Sequence, residues 1–293
     1  MQRFIKRVLA FVFIVITVFF VDLSSQKSLL FKAEDLKLPK EIKILILGHS
    51  HSAMAYNDKY LNNVFNLSEE GEAYLYTYFK AKKVIESNPQ IKKVYIEFTN
   101  NQIYKKDMND WMWGDDQIQY RIKRYGVLLD KEALQLLYSK NPNGFTNAFS
   151  KSLFDNLRRF FYNNKGIVLK GGMGGYTPCD KILLDSVVSS KIKKHKVLNE
   201  ISEYNILYLQ KIVKYCQDRG LEVCLLRSPM HKNYDISFSE YKFQEILRTK
   251  FKNVEWLDNK DFPIPDKGFY DSEHLNSYGA KIYSQYFNNQ INN

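Results

Sequence analysis

Hydrophobic and polar positions change their spacing along this chain in a way that marks out its elements. Residues 43–47 are an almost unbroken apolar run rich in Ile and Leu, the pattern of a strand buried on both faces of a parallel sheet. Residues 64–67 repeat it in short form and lead into Ser68-Glu69-Glu70-Gly71. A helix is predicted over 72–86, stopped by Ser87-Asn88-Pro89. The next strand, 93–98, ends in Thr99-Asn100-Asn101. Strands alternating with helices in this order imply a parallel sheet joined by right-handed crossovers. From 102 to 195 the alternation lapses, leaving helical stretches at 131–139 and 154–162. It resumes with a helix over 197–219 that Gly220 ends, strands at 222–226 and 254–257, and a closing helix over 277–287. The pattern therefore predicts one α/β domain, residues 41–293, with a long insertion (102–195) after its third strand. Insertions of this length serve as lids or substrate platforms.

The N-terminal pattern is of another kind. Arg3, Lys6 and Arg7 flank a run from Val8 to Val21 that only Thr17 interrupts. A basic flank before an apolar run is an export signal or an uncleaved anchor. No small-residue cleavage pattern follows, so residues 1–22 are read as a retained transmembrane helix. Residues 23–40 then connect it to the domain. The basic flank places the N-terminus in the cytoplasm and the domain outside, at the cell surface or in a periplasm.

Composition narrows the class. Of 293 residues, 45% are hydrophobic and 15% aromatic, which is a globular balance and excludes a disordered chain. Formal net charge is +11. An exported basic domain beside a membrane suits anionic lipid or acidic glycan. Nucleic acid is excluded as a partner by the absence of any recognition motif. The cysteines, Cys179, Cys216 and Cys224, are odd in number and leave at least one free thiol. None has zinc-site spacing.

Candidate chemistry lies at both ends of the domain. The first strand runs into Gly48-His49-Ser50-His51-Ser52, and Asp271-Ser272-Glu273-His274-Leu275-Asn276 precedes the last helix. Ligands bind at the C-terminal ends of strands in open α/β sheets, so Ser50 is a candidate nucleophile. It needs a base. His274 can be that base, and Asp271, three residues before it, can orient it. These three are the parts of an acyl-transfer site.

Those blocks resemble the SGNH (GDSL-like) hydrolase and acyltransferase superfamily over 41–293, apart from the insertion. The Ser-His-Ser ending of the first block is similar to members that act in exported polysaccharide O-acylation. The resemblance implies a flavodoxin-like, three-layer α/β/α fold. It also implies an oxyanion hole from the Ser50 N–H, the Gly71 N–H and a side chain of Asn100 or Asn101, with Asn100 favoured. His49 stands where the family usually has aspartate, and the third block lacks the family's G-x-N-D form.

Remaining residues have weaker assignments. His49 and His51 could bind a metal by their spacing, but no third ligand is near, so no metal is expected. They either orient and pack the loop or contact substrate. Arg227 and His231 follow the fourth strand, and either could meet an acyl or anionic glycan group. Gly171-Gly172-Met173-Gly174-Gly175 lacks the Lys-Ser/Thr of a phosphate loop and reads as a hairpin whose glycines allow close approach. Trp111-Met112-Trp113 is a sugar-stacking patch, a membrane-facing patch or core. No cofactor is called for. The expected function is a membrane-anchored serine esterase or O-acyltransferase. Its partners would be an acylated donor, a cell-surface glycan acceptor and a membrane-bound O-acyltransferase. The alternative is a non-catalytic anchored scaffold or binding protein.

Overall fold

Five short apolar segments pair side by side and in parallel to form the centre of the protein, seen in a computed structural model that describes residues 3–7, 10, 36–126, 128–161, 174–182 and 200–292. They are β1 (Ile44–Leu47), β2 (Val64–Asn66), β3 (Lys93–Glu97), β4 (Glu222–Arg227) and β5 (Glu255–Asp258), in the order β2-β1-β3-β4-β5. Ile46 pairs with Asn66 on one side and Tyr95 on the other, and Tyr95 with Cys224. This is a flavodoxin-like order, as the family resemblance implied. Its strand sequence reverses between β1 and β3, which opens a crevice at their C-terminal ends.

Alternation along the strands supplies two apolar faces. Ile46, Tyr95, Cys224 and Leu226 share a core cluster with Ala55 and Tyr56 and with Leu275, Tyr283 and Phe287. The opposite positions Leu45, Leu47, Val94, Ile96 and Leu225 are also closed to solvent. Full burial of each such side chain stabilises the fold by about 1.5–3 kcal/mol. Helix α1 (Ser50–Ala55) leaves the end of β1, and α2 (Tyr74–Ser87) links β2 to β3.

The predicted strands and the helix at 72–86 fall within two residues of observed elements, and the predicted helices at 197–219 and 277–287 overlap the observed Glu203–Gln217 and Ser277–Asn292. Three helices were not anticipated: α3 (Lys105–Trp113), α4 (Asp115–Tyr125) and α8 (Ser237–Lys250). The insertion also holds α5 (Lys131–Lys140) and α6 (Pro142–Phe161), the latter starting twelve residues before the predicted 154. The start signal was there: Asn141 Oδ1 caps the Gly144 N–H at 2.8 Å, and Pro142 occupies the first helical position. Helices α7 (Glu203–Gln217) and α9 (Ser277–Asn292) complete the chain.

Two compact units divide the molecule. One is Lys37–Met112 with Gly171–Asn293 and contains the sheet; the other is Met1–Leu36 with Trp113–Lys170. Within the second unit α4 and α6 pack together. Among the described residues no helix is long and apolar enough to cross a membrane. The run from Val8 to Val21 lies, Ala10 apart, outside the described residues, as do most of 23–40 and Gly171 to Met173.

Candidate active site

The site forms where β1 ends. Gly48 lets the chain turn against β3: a Cβ there would sit 2.6 Å from the Glu97 Cβ and 2.2 Å from Ser52 Oγ. Ser50 opens α1, and its Oγ lies 2.8 Å from His274 Nε2. His274 Nδ1 is 2.9 Å from each Asp271 oxygen. Asp271 Oδ1 also accepts the backbone N–H groups of Glu273 and His274, both at 2.8 Å. A hydroxyl, an imidazole and a carboxylate therefore stand in hydrogen-bonded line.

Helix α9 brings the two ends of the chain together. Tyr283 Oη meets Tyr56 Oη at 3.0 Å, and Ser284 Oγ accepts from Asn57 N at 2.8 Å and donates to Ala55 O at 3.1 Å. The helix after Ser50 and the helix after His274 are thus stitched to each other.

Electrostatics favour the same proton path. Burial alone would lower the His274 pKa, but hydrogen bonding and charge from Asp271, with the charges of Glu273 and Glu70, outweigh it and raise it above the ordinary value. Burial alone would raise Asp271; its bonds to the His274 ring and to two backbone N–H groups hold it below the carboxylate range. Burial, with His51 and His274 nearby, keeps the His49 pKa well below ordinary, so His49 is neutral at physiological pH.

Four residues named as possible substrate contacts, His49, His51, Arg227 and His231, are buried. His49 is fully enclosed; its Nε2 lies 3.0 Å from Thr99 Oγ1 and its Nδ1 3.4 Å from Ser50 Oγ. His51 is buried edge-on to His49 and His274, at centroid distances of 4.6 and 4.8 Å, with Nε2 a long 3.5 Å from Glu273 Oε2. Arg227 is enclosed, bonding Asp258 through Nε at 3.0 Å and Glu240 through Nη1 at 2.8 Å. His231 is buried, its Nδ1 accepting from Asn233 N at 3.2 Å and its ring 5.0 Å edge-on from Phe269. A cation or imidazole near a sheet edge is more readily used to tie loops than to face solvent, because burial demands a partner.

Asn100, favoured for the oxyanion hole, has both ends of its amide engaged. Its amide donates to Ser239 Oγ at 3.1 Å and Glu240 Oε2 at 2.9 Å, and its carbonyl accepts from Arg227 Nη1 at 2.7 Å. Arg227 can only donate, which fixes the amide's orientation. Both amide protons are spent, so none is left for an oxyanion. Asn101 is the available neighbour: its Oδ1 accepts from Thr99 Oγ1 at 2.6 Å, and its nitrogen has no described partner.

Gly71 lies in the loop after β2 with φ +58°. That loop is tied to the turn before Ser50 by Glu69 N donating to Gly48 O at 3.1 Å. Beneath it the buried Lys80 Nζ donates to Leu67 O and pairs with Glu72 Oε2, both at 2.7 Å. From the glycine-rich stretch, Gly175 N donates to Ser68 O at 2.9 Å and Thr177 N to Ala53 O at 2.8 Å. A Cβ on Gly174 would come within 2.3 Å of Ser68 O, so the expected close approach is made to the protein's own backbone. Of the tryptophan cluster, Met112 and Trp113 are buried, whereas Trp111 is half-buried with its ring 5.8 Å from that of His49.

Sequence reasoning overlooked Thr99, Glu97 and Tyr234. Glu97 is enclosed at the end of β3, accepting from Ser228 N at 2.9 Å and Ser228 Oγ at 2.7 Å; its signal was an acidic residue closing a strand whose middle is apolar. Tyr234 faces Glu273, and nothing in its local sequence announces this. Among the described residues no group of three or more His, Cys, Asp or Glu side chains could hold a metal.

A protein-family model matches residues 183–293, less than half of the chain. No curated protein matches the sequence at a significant level. Two solved structures are similar in outline. One, from Bacteroides fragilis and described as a candidate acylhydrolase, is 10% identical with a TM-score of 0.41, over 88% of this chain and 92% of its own. The other, a GDSL-like lipase from Bacteroides thetaiotaomicron, is 8% identical with a TM-score of 0.40, over 92% of this chain and 95% of its own. At that distance neither likeness bears on what this chain does.

Proposed function

We propose that the protein is a serine acyl-transfer enzyme with Ser50 as nucleophile, His274 as general base and acid, and Asp271 as the residue that orients it. The observation that carries this is the line Ser50 Oγ, His274 Nε2, His274 Nδ1, Asp271, with every gap between 2.8 and 2.9 Å. The raised His274 pKa suits a group that takes up a proton in the transition state.

In this mechanism His274 Nε2 removes the Ser50 proton as Oγ attacks the carbonyl carbon of an ester donor. The oxyanion is received by the Ser50 N–H, the Gly71 N–H and the Asn101 amide. The alkoxide leaves with the proton from His274, and an acyl-Ser50 ester remains. His274 then deprotonates the acceptor, an incoming hydroxyl or water, which takes the acyl group and restores Ser50.

We place this activity outside the cytoplasm on a retained N-terminal anchor, because Arg3, Lys6 and Arg7 precede an apolar run that only Thr17 interrupts. The acceptor we propose is a hydroxyl of a cell-surface glycan, with acyl groups supplied through a membrane-bound O-acyltransferase. An anchored site fits transfer better than free hydrolysis. The test is labelling of the full chain with a fluorophosphonate probe: it is expected at Ser50 and lost in Ser50→Ala. Absence of labelling would leave the scaffold alternative. Acylation of an added oligosaccharide, against release of free acid, separates transferase from esterase.

A further inference from the structure

We infer that His49 is a positioning residue, which acts through Thr99 to hold the Asn101 amide with its nitrogen free to receive the oxyanion. The inference rests on the acyl-transfer reading above and adds to it a role for the residue that departs from the family's aspartate.

The direction of the chain of bonds is set at its beginning. The backbone N–H of His51 points at His49 Nδ1 at 3.5 Å. A backbone N–H only donates, so Nδ1 presents its lone pair and the ring proton sits on Nε2. Ser50 Oγ, 3.4 Å from Nδ1, does not compete, since its proton is committed to His274 at the shorter 2.8 Å. Nε2 therefore donates to Thr99 Oγ1 at 3.0 Å. The threonine hydroxyl, having accepted there, has one proton to give. It gives it to Asn101 Oδ1 at 2.6 Å; the other acceptor in reach, Gln102 Oε1 at 3.3 Å, already takes the Thr99 N–H at 2.9 Å.

Asn101 is thereby held with its oxygen toward Thr99. Its nitrogen faces away from that bond, and among the described residues no partner takes either proton. Bonds that run in one direction polarise one another, so the Asn101 nitrogen becomes a stronger donor than an isolated amide. The enclosure that keeps His49 neutral also protects the direction of the chain, because protonation at Nδ1 would turn that atom from acceptor to donor. An imidazole fits this place because its two nitrogens are far enough apart to cap His51 and reach Thr99 together.

The inference is tested by the second-order rate of fluorophosphonate labelling at Ser50 in the full chain. Asn101→Ala removes the terminal donor and is expected to slow labelling about 100-fold. Thr99→Val, which keeps the shape and deletes the hydroxyl, is expected to slow it roughly ten-fold. His49→Asn, whose carbonyl can still cap His51 but cannot reach Thr99, is expected to do the same. If both act through Asn101, neither slows labelling further in the Asn101→Ala background. Full additivity in that background, or unchanged rates in the single variants, overturns the inference while leaving Ser50 as nucleophile. Failure of the acyl-transfer reading looks different: no labelling of the unaltered protein, or labelling that survives Ser50→Ala. Should Thr99→Val not fold, His49→Asn alone completes the cycle.

Discussion

Asp271 holds His274 at two points at once, through the ring Nδ1 at 2.9 Å and through the backbone N–H at 2.8 Å. The three-residue spacing makes this possible: one carboxylate fixes the position of the main chain and the rotation of the ring that the chain carries. The ring's other nitrogen then lies 2.8 Å from Ser50 Oγ.

That double hold predicts a specific pH profile. With the His274 pKa raised by Asp271 against burial, labelling at Ser50 should fall on acidification along a limb centred above the ordinary imidazole value of about 6.5. In Asp271→Asn the limb should move to lower pH and the rate at neutral pH should drop by about 10³-fold or more. The stability linkage has the opposite sense: a raised folded-state pKa stabilises the protein below the ordinary histidine value, and this contribution is lost as pH rises through the raised pKa. Denaturant midpoints of wild type and Asp271→Asn, compared at pH 5.5 and 8.5, should converge at the higher value as far as this histidine is concerned.

Arg227 predicts a stability effect. It is enclosed, while the side chains of its partners Glu240 and Asp258 are 28% and 29% exposed. Arg227→Met should cost about 3 kcal/mol, the lower end for breaking a buried pair, because both carboxylates can recover some water. Burial alone would raise Glu240; its bonds to Arg227, Gln244 and Asn100, with the charge of Arg227, bring it down to about 2. Its stabilisation is therefore present above its ordinary value and is lost as pH falls toward 2. Acid titration of the variant should show a shallower loss across that window than wild type.

Gly48 predicts a packing effect. The space a Cβ would need is already filled by Ser52 and Glu97. Gly48→Ala should cost roughly 1–3 kcal/mol by overpacking. It should also slow labelling, since any relief moves the end of β1 and Ser50 with it. Chemical denaturation together with the labelling rate checks both, and a stable variant with unaltered labelling would refute the argument.

How much of this could be read from the chain alone depended on how local the signal was. The strands were legible because each is an apolar run of its own, and Asp271 and His274 because three residues and a following helix bring them together. Asn100 and Asn101 were not separable, since both follow the same strand and the Asn100 amide is engaged by Arg227, Ser239 and Glu240, which are distant in sequence. His49 and His51 could be read as loop-orienting and packing residues or as substrate contacts; the partners they meet, Thr99, Glu273 and Trp111, lie in three other segments. Helix α4 was missed although Ile118, Ile122 and Tyr125 recur at helical spacing and are buried, because the polar residues between them dominate a short window.

The stitching of α9 onto α1 through Tyr283 and Ser284 has a consequence for how the protein is made. A ribosome releases Ser50 long before it releases His274, and the imidazole is seated only when the helix after it has docked on Tyr56 and Asn57. Throughout that interval the growing chain carries an unactivated alcohol, so a polypeptide in transit or cut short before residue 277 is chemically silent. On the acyl-transfer reading proposed above, reactivity arrives in one late step, when helix α9 closes on helix α1.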